Sequence, residues 1–133
     1  MTDRLKFAGF KIERLPTAEC RARVTLMSLD GTKFEAEARG LTSETGELRC
    51  AAQAALLALA QAFREPAFEL VGVKAVRAFD ATVVIVSLGV PGQRGAPRVV
   101  GSYLTERDAP RGAALAVLNA TNRLLVRSRP AKR

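Results

Sequence analysis

The sequence predicts an α+β fold made of two tandem β-β-β-α units with pseudo-twofold symmetry, in which antiparallel sheets pack against helices. Two observations lead to this prediction. Apolar and polar residues alternate along segments that come in groups of three, as they do in strands with one buried face and one solvent face. An alanine- and leucine-rich segment of helical periodicity follows each group, and the two helical segments are similar to each other.

The internal repeat has an offset of 62 residues, which separates LRCAAQAALLALAQAF (48–63) from PRGAALAVLNATNRLL (110–125). Identities at this offset pair Arg49 with Arg111, Ala51 with Ala113, Ala52 with Ala114, Ala54 with Ala116, Leu56 with Leu118 and Ala58 with Ala120. Upstream, Val24 matches Val86 and Glu44 matches Glu106. We therefore expect a single domain over residues 1–133, made of two repeats at about 10–65 and 68–126 with a basic tail at 127–133.

Three strand-like segments open the first unit: KFAGFKIERL (6–15), CRARVTLMSL (20–29) and KFEAEARGL (33–41). In the second segment, small and apolar side chains from Cys20 to Leu26 share one face. In the third, Glu35, Glu37 and Arg39 occupy the face expected to meet water. An Asp-Gly pair joins these two segments and predicts a tight hairpin turn.

The second unit repeats this order with FELVGVKAVRAF (68–79), ATVVIVSL (81–88) and RVVGSYL (98–104). A longer glycine-rich connection, GVPGQRGAP (89–97), precedes its third strand. Backbone amides and nearby Arg94 and Arg98 give this segment the chemistry of an anion cradle. Its place between two strands favours the simpler interpretation of a hairpin loop.

Capping residues mark both helix starts. Ser43 or Thr45 can cap the first helix, and Asp108 can cap the second. Pro66 follows the first helix and separates the two units. Gly40 and Gly101 are expected at matching strand ends, in turns that require a positive φ.

A helical wheel divides each helix into an inner face and an outer face of mixed polarity. The inner face of the second helix holds Ala113, Ala114, Val117, Leu118, Ala120, Thr121, Leu124 and Leu125. The outer faces hold Gln53, Ala54, Leu57, Ala60 and Gln61 in the first helix, and Leu115, Ala116, Asn119, Asn122, Arg123 and Val126 in the second. Mixed polarity predicts an interface with another helix or subunit, formed by Leu57, Leu115, Asn119, Asn122 and Arg123. The alternative is an alanine-rich surface helix without a partner.

The formal charge of +8 is concentrated in the second half of the chain, where residues 67–133 hold eleven Lys or Arg and four Asp or Glu. Arg94, Arg98, Arg127 and Arg129 therefore support an alternative function in binding RNA or DNA. The single Tyr and the absence of Trp offer little for base stacking. Because much of the excess lies in the tail, a solubilising role is the favoured interpretation.

Catalytic and metal-binding patterns are weak in this sequence. It has no His, and its two cysteines, Cys20 and Cys50, are too few for a zinc site or disulfide framework. They are expected to be buried structural thiols. The main nucleotide-binding glycine motifs are missing as well. We expect that the protein is not an enzyme and that it binds neither a cofactor nor a metal. The less favoured alternative is that it is an uncharacterised enzyme. No membrane span or signal peptide is recognised, so a cytoplasmic location is expected.

The segment VVGSYLTERDAPRGAALAVLNATNRLL (99–125) resembles the C-terminal regulatory domain of 2-isopropylmalate synthase. The matching residues are Gly101, Ala113, Ala116, Leu118, Asn119, Ala120, Asn122 and Arg123. Thr121 replaces an apolar residue of that pattern, and GLTSETGELRCAAQAALLAL (40–59) fits the weaker companion repeat.

The resemblance implies two β-β-β-α units, a dimerising role and an effector pocket near the strand-to-helix junctions. By this analogy the ligand-binding residues are Gly40, Thr42, Gly101, Ser102 and Thr105. The sequence holds no catalytic barrel for such a domain to regulate, so feedback by leucine does not carry over. We therefore expect a stand-alone regulatory or sensor module, a homodimer that binds a small-molecule effector.

Overall fold

The computed structural model describes residues 5–63, 67–90 and 98–127, and it shows two tandem β-β-β-α units. The first unit consists of β1 (Lys6–Arg14), β2 (Glu19–Met27), β3 (Lys33–Leu41) and α1 (Glu44–Ala62). The second consists of β4 (Glu69–Ala78), β5 (Ala81–Gly89), β6 (Val99–Thr105) and α2 (Ala109–Arg127). The predicted fold class and the order of its elements are thus confirmed.

Each unit forms its own antiparallel sheet, with strand orders β1-β2-β3 and β4-β5-β6. The alternation in the sequence sets which side chains point inward. Those of the two central strands are fully buried, namely Cys20, Ala22, Val24, Leu26, Val84, Val86 and Leu88. The expected turn between β2 and β3 is present, and Gly31 supplies its positive φ of 91°.

Both helices lie in a layer between the two sheets. Helix α1 packs on β2 and β3, α2 packs on β5 and β6, and the helices also pack against each other. In addition, α1 contacts β4 and α2 contacts β1. These reciprocal contacts agree with the expected pseudo-twofold arrangement, and they leave the outer face of each sheet without a helix.

This middle position corrects the predicted outer faces of the helices. Ala54 and Ala116 were expected to face outward, yet both are completely buried. The wheel assigned one buried face to each helix, whereas each helix is covered by its own sheet, by the other helix and by a strand of the other sheet. Thr121 is buried as predicted, and its hydroxyl donates to the Val117 carbonyl at 3.0 Å.

The roles expected of Gly40 and Gly101 are also wrong. Neither residue has a positive φ, and they do not occupy matching positions. Gly40 pairs with Cys20 near the end of its strand, whereas Gly101 pairs with Val86 inside β6. Close packing explains Gly101, because a Cβ there would lie 2.3 Å from the Ala116 carbonyl oxygen.

Both predicted N-caps are present. The Ser43 hydroxyl accepts a hydrogen bond from the Gly46 amide at 2.9 Å, so Ser43, and not Thr45, caps α1. The Asp108 carboxylate accepts from the Arg111 amide at 3.2 Å. In the first turn of α1, Glu47 also receives two hydrogen bonds of 2.8 Å from Arg14, which tie β1 to the start of the helix.

We predict that Gly101→Ala lowers the free energy of unfolding by about 3 kcal/mol, because the new methyl group overlaps the α2 backbone. Chemical denaturation measures this change. Gly9→Ala is the matched control, since a Cβ at Gly9 would meet only Thr25 atoms at an ordinary 3.7 Å. Equal stability of the two variants would contradict the packing described for β6 and α2.

Candidate functional site

The candidate site is a cleft of about 320 Å³ where β3 meets α1. It is lined by Arg39, Gly40, Leu41, Gly46, Arg49, Cys50 and Gln53. Strand β3 contributes the first three of these residues and the opening turns of α1 contribute the others. The cleft is open to solvent, so a ligand can enter it without any movement of the chain.

Two glycines allow the strand and the helix to approach each other at this junction. A Cβ at Gly46 would lie 2.1 Å from the Leu41 carbonyl oxygen, which is too close for any other residue. A Cβ at Gly40 would lie 3.3 Å from the Gly46 carbonyl oxygen and 3.5 Å from Cβ of Cys50. The absence of side chains at these two glycines therefore leaves room for the cleft.

The first junction differs from the second by one helical turn. Glu106 and Asp108 connect β6 to α2, which begins at Ala109. At the repeat offset of 62, Ala109 corresponds to Glu47, so the turn of α1 from Glu44 to Gly46 has no counterpart in α2. Gly46 belongs to this additional turn, so the second repeat has no helical residue at the corresponding place in its junction.

Positive charge dominates the lining of the cleft. The Arg39 and Arg49 side chains are exposed, and Gln53 is half-buried beside them on the helix. Arg39 is on the edge strand, in the outer-face row of Arg21, and its Nη1 forms a long, weak ion pair of 3.9 Å with the Glu19 carboxylate. Two guanidinium groups and an amide are suited to a carboxylate or a phosphate. Leu41, exposed over 68 % of its surface, adds an apolar contact at the rim.

Cys50 is the nucleophilic side chain nearest to this cleft. Burial, together with a contact from Cys20, raises the pKa of its thiol to about 12. The Cys50 Sγ donates to the Ala38 carbonyl at 3.0 Å and is therefore turned toward the sheet. A thiol held in its protonated form is a poor nucleophile, so the residue packs the strand against the helix. Both cysteines are buried and free, as the sequence predicted.

Only Gly40, among the residues implied by the family resemblance, lines this cleft. Thr42 is exposed beside it, and its amide donates to the Ala18 carbonyl at 3.0 Å. At the second junction, Gly101 is packed against α2, while the Ser102 carbonyl accepts from the Asn119 amide group at 2.8 Å. The Thr105 hydroxyl accepts from the Asp108 amide at 3.2 Å.

The charged members of the site, Arg39 and Arg49, were not predicted from the sequence as ligand-binding residues. The identity of Arg49 with Arg111 marks the repeat, but it does not reveal the additional turn that forms the cleft. Arg39 has the alternation of an ordinary solvent-facing strand residue. Their common place in the lining of the cleft depends on the fold, which these local patterns do not reveal.

The residues predicted to form an interface lie on narrow exposed stripes of the helices. Leu57 is exposed over 48 % of its surface, and Leu115 and Asn122 are half-buried. Asn119 is exposed, and its bond to Ser102 gives it a contact within the chain. In the first repeat Gln61 makes a similar contact, since its side-chain amide donates to the Glu35 carbonyl at 2.7 Å. The Arg123 side chain is outside the described part of the structure.

The arginines of the nucleic-acid alternative are only partly described. Arg98 is exposed just before β6, and Arg127 is the last residue of α2. Arg94, Arg129 and the side chain of Arg127 are outside the described residues. The structure thus gives no arrangement of these four side chains.

Within residues 5–63, 67–90 and 98–127, no three His, Cys, Asp or Glu side chains come together in a way that could hold a metal ion. In the same part of the chain, none of the helices has both the length and the apolar character needed to cross a membrane. No protein-family model matches the sequence, and neither does any curated protein.

We predict that the Cys50 thiol makes the protein less stable at alkaline pH. The ordinary pKa of a thiol is 9.0, whereas the folded chain retains this proton up to about pH 12. The unfolded chain releases it first, so the free energy of unfolding falls as the pH rises from 9.0 toward 12. Urea denaturation below and above pH 9.0 measures the slope. In Cys50→Ala the slope should become shallower, and an unchanged slope would contradict the assignment.

Proposed function

We propose that this protein is a non-catalytic regulatory or sensor module that binds a small, negatively charged ligand in the cleft between β3 and α1. The observation that supports it most is the lining of the cleft, which contains two exposed arginines, Arg39 and Arg49, and two glycines. The proposed module acts as a homodimer, and its proposed location is the cytoplasm.

The dimensions of the cleft restrict the class of ligand. Its volume of about 320 Å³ is at the lower end of the range of ligand-binding pockets. Arg39, Arg49 and Gln53 offer only hydrogen-bond donors and an amide oxygen, whereas Leu41 offers an apolar contact. A small carboxylic acid with a short apolar portion, such as an amino acid or an oxo acid, meets both conditions.

The resemblance to the regulatory domain of 2-isopropylmalate synthase supports the same conclusion. That family's effector pocket near the strand-to-helix junctions corresponds to the position of this cleft at Gly40. The charged residues here, Arg39 and Arg49, come from this chain's own structure and not from the family pattern. The proposal therefore names an acidic group, and it does not name leucine.

The chemistry of the lining favours binding over catalysis. Cys50 keeps its proton because burial raises the pKa of its thiol. Glu19, the acid paired with Arg39, is held on the neighbouring strand at 3.9 Å from the guanidinium. The remaining polar groups of the cleft, two arginines and a glutamine, bind anions well but are poor proton acceptors at neutral pH.

A second candidate function, binding of RNA or DNA, is favoured by the excess of basic residues in the second half of the chain. It predicts an affinity that falls steeply with salt concentration. A gel-shift titration with short RNA and DNA at two salt concentrations tests it, and removal of residues 127–133 should then weaken the complex.

We predict that a panel of small carboxylic acids contains compounds that raise the melting temperature of the protein. A ligand at a hundred times its dissociation constant adds about 2.7 kcal/mol to the free energy of unfolding. Loss of one charge-assisted contact costs about 1.5–3 kcal/mol, so Arg39→Gln or Arg49→Gln should weaken binding by roughly 10- to 100-fold. Calorimetric titration of each active compound measures the affinities.

Arg111→Gln is the matched control for this experiment. Arg111 occupies the place of Arg49 in the second repeat, where it lies 5.2 Å from the centre of the Phe7 ring and lines no part of the cleft. Its substitution should leave the affinity unchanged. A compound that binds equally well to all three variants would show that the ligand site is elsewhere, and a panel without any stabilising acid would contradict the proposal.

A further inference from the structure

We propose that the homodimer of the proposed function, on which this inference rests, forms through the outer face of the second sheet, which binds the same face of a second copy of this chain. The side chains in question point away from the helices and are apolar: Val71, Val76, Val83, Ile85, Val100 and Leu104, here called the apolar face. Five of them are more than a third exposed, from 36 % at Ile85 to 59 % at Leu104. Exposed apolar residues scattered singly need no explanation, but a contiguous set on one face indicates an interaction surface.

The strand register shows that these residues are adjacent. Val76, Val83 and Leu104 form one row across β4, β5 and β6. In the next row Ile85 lies between Lys74 and Ser102, and beyond it Ser87 lies beside Val100. Ile85 is therefore at the centre of the face, on the central strand.

The first repeat has charges at the equivalent positions. Its row Glu13, Arg21 and Arg39 corresponds to the row of the second repeat that contains Val83. There Arg21 is bonded to Glu13, and in the next row Arg23 is bonded to Glu37, so water-exposed ion pairs cover the first sheet. One backbone fold thus carries a polar face in one repeat and an apolar face in the other. The fold itself does not require apolar residues there, which leaves a partner as the reason for them.

Phe79 is a second and independent sign of a partner at this end of the molecule. Phe79 and Asp80 form the two-residue turn between β4 and β5, with φ values of 54° and 60°. Such turns favour Asn and Gly, and a bulky aromatic residue with a positive φ is strained. Phe79 is nevertheless 97 % exposed, next to the end of β4 that holds Val76. An exposed, strained aromatic residue is suited to anchor an interface.

The charge of the apolar face favours a second copy over other partners. Lys74 and Glu69 are the charged side chains that the three strands place on this face, and both are on the outer strand β4. A surface that binds a nucleic acid or an acidic protein would carry several cations. This face is mainly apolar, so it is complementary to the same face of a second copy. Repulsion between the two Lys74 side chains favours the twofold arrangement in which β4 lies over the partner's β6.

The size of the face predicts the strength of the dimer. Three strands about 4.8 Å apart, with seven residues in β6 at about 3.3 Å each, give a face of roughly 330 Å². A standard stable interface buries about 800 Å² per partner. The face, with Phe79 added at its edge, therefore predicts a weak dimer that dissociates on dilution. The proposal is independent of the ligand cleft, since the cleft contributes none of these residues.

Sedimentation equilibrium over a wide range of concentrations tests the proposal, with the wild-type chain and three variants. Leu104→Arg and Ile85→Arg introduce the residue that the first repeat has in the equivalent rows, so the fold accommodates it. In Ile85→Arg two new charges face each other at the centre of the interface, and in Leu104→Arg a new charge is placed against the apolar residues of the partner's β4. We expect a dissociation constant at least about tenfold higher in each variant. Leu57→Arg is the control, because Leu57 is a comparably exposed leucine on a helix stripe. It should leave the dimer unchanged.

Phe79→Asn separates folding from association. Asn adopts a positive φ more readily than Phe, so the monomer should become more resistant to denaturation. The dimer should nevertheless become weaker, because the exposed aromatic anchor is gone. If Phe79 had only a structural role, the resistance of the monomer to denaturation and the strength of the dimer would change in the same direction.

Three results would overturn the proposal. The wild-type chain could remain monomeric at every concentration. Its dimer could persist in the Leu104→Arg and Ile85→Arg variants while their circular dichroism shows a native fold. It could instead dissociate in Leu57→Arg, which would place the interface on the helices. None of these results depends on ligand binding, so failure of the ligand proposal would be seen separately, in the calorimetric titrations.

Discussion

The close packing of two alanine-lined helices between two sheets is the constraint on which this structure depends. At Gly101 the strand and α2 are so close that a single additional methyl group would overlap the Ala116 carbonyl. A buried alanine loses little surface on folding, so the stability of these contacts comes from the number of atoms in van der Waals contact. Since the inner layer takes up both helices, the outer face of each sheet is left for solvent or for partners.

The sequence predicted the strands and helices well because side-chain alternation depends only on local geometry. The prediction was wrong where burial depends on the other helix and the other sheet. The helical wheel placed Ala54 and Ala116 on the outer faces, although these neighbours bury both residues. Gly40 and Gly101 are not equivalent because the connections from β3 to α1 and from β6 to α2 have different lengths. A repeat found in the helices therefore does not fix the register of the preceding strands. The cleft lined by Arg39 and Arg49 could not be predicted, since its lining brings together a strand and an additional turn of helix.

The two repeats have diverged in their surfaces while keeping the same fold. The first has the cleft with its two arginines and a sheet covered by ion pairs. The second lacks the additional helical turn and has an apolar outer face around Ile85. We propose that the first repeat binds the ligand and that the second binds another copy of the chain. Because α1 contacts both α2 and β4, the same packed layer connects the two surfaces.

This division of roles is tested most directly by the amide spectrum of the isotope-labelled protein, followed by nuclear magnetic resonance during dilution. We expect the resonances that shift to belong to β4, β5 and β6, with the largest changes near Val76, Ile85 and Leu104. The resonances of Gly40 and Arg49 should stay unchanged on dilution and should shift only when a ligand is added. Shifts confined to the exposed helix residues, such as Leu57 and Asn119, would contradict an interface on the second sheet.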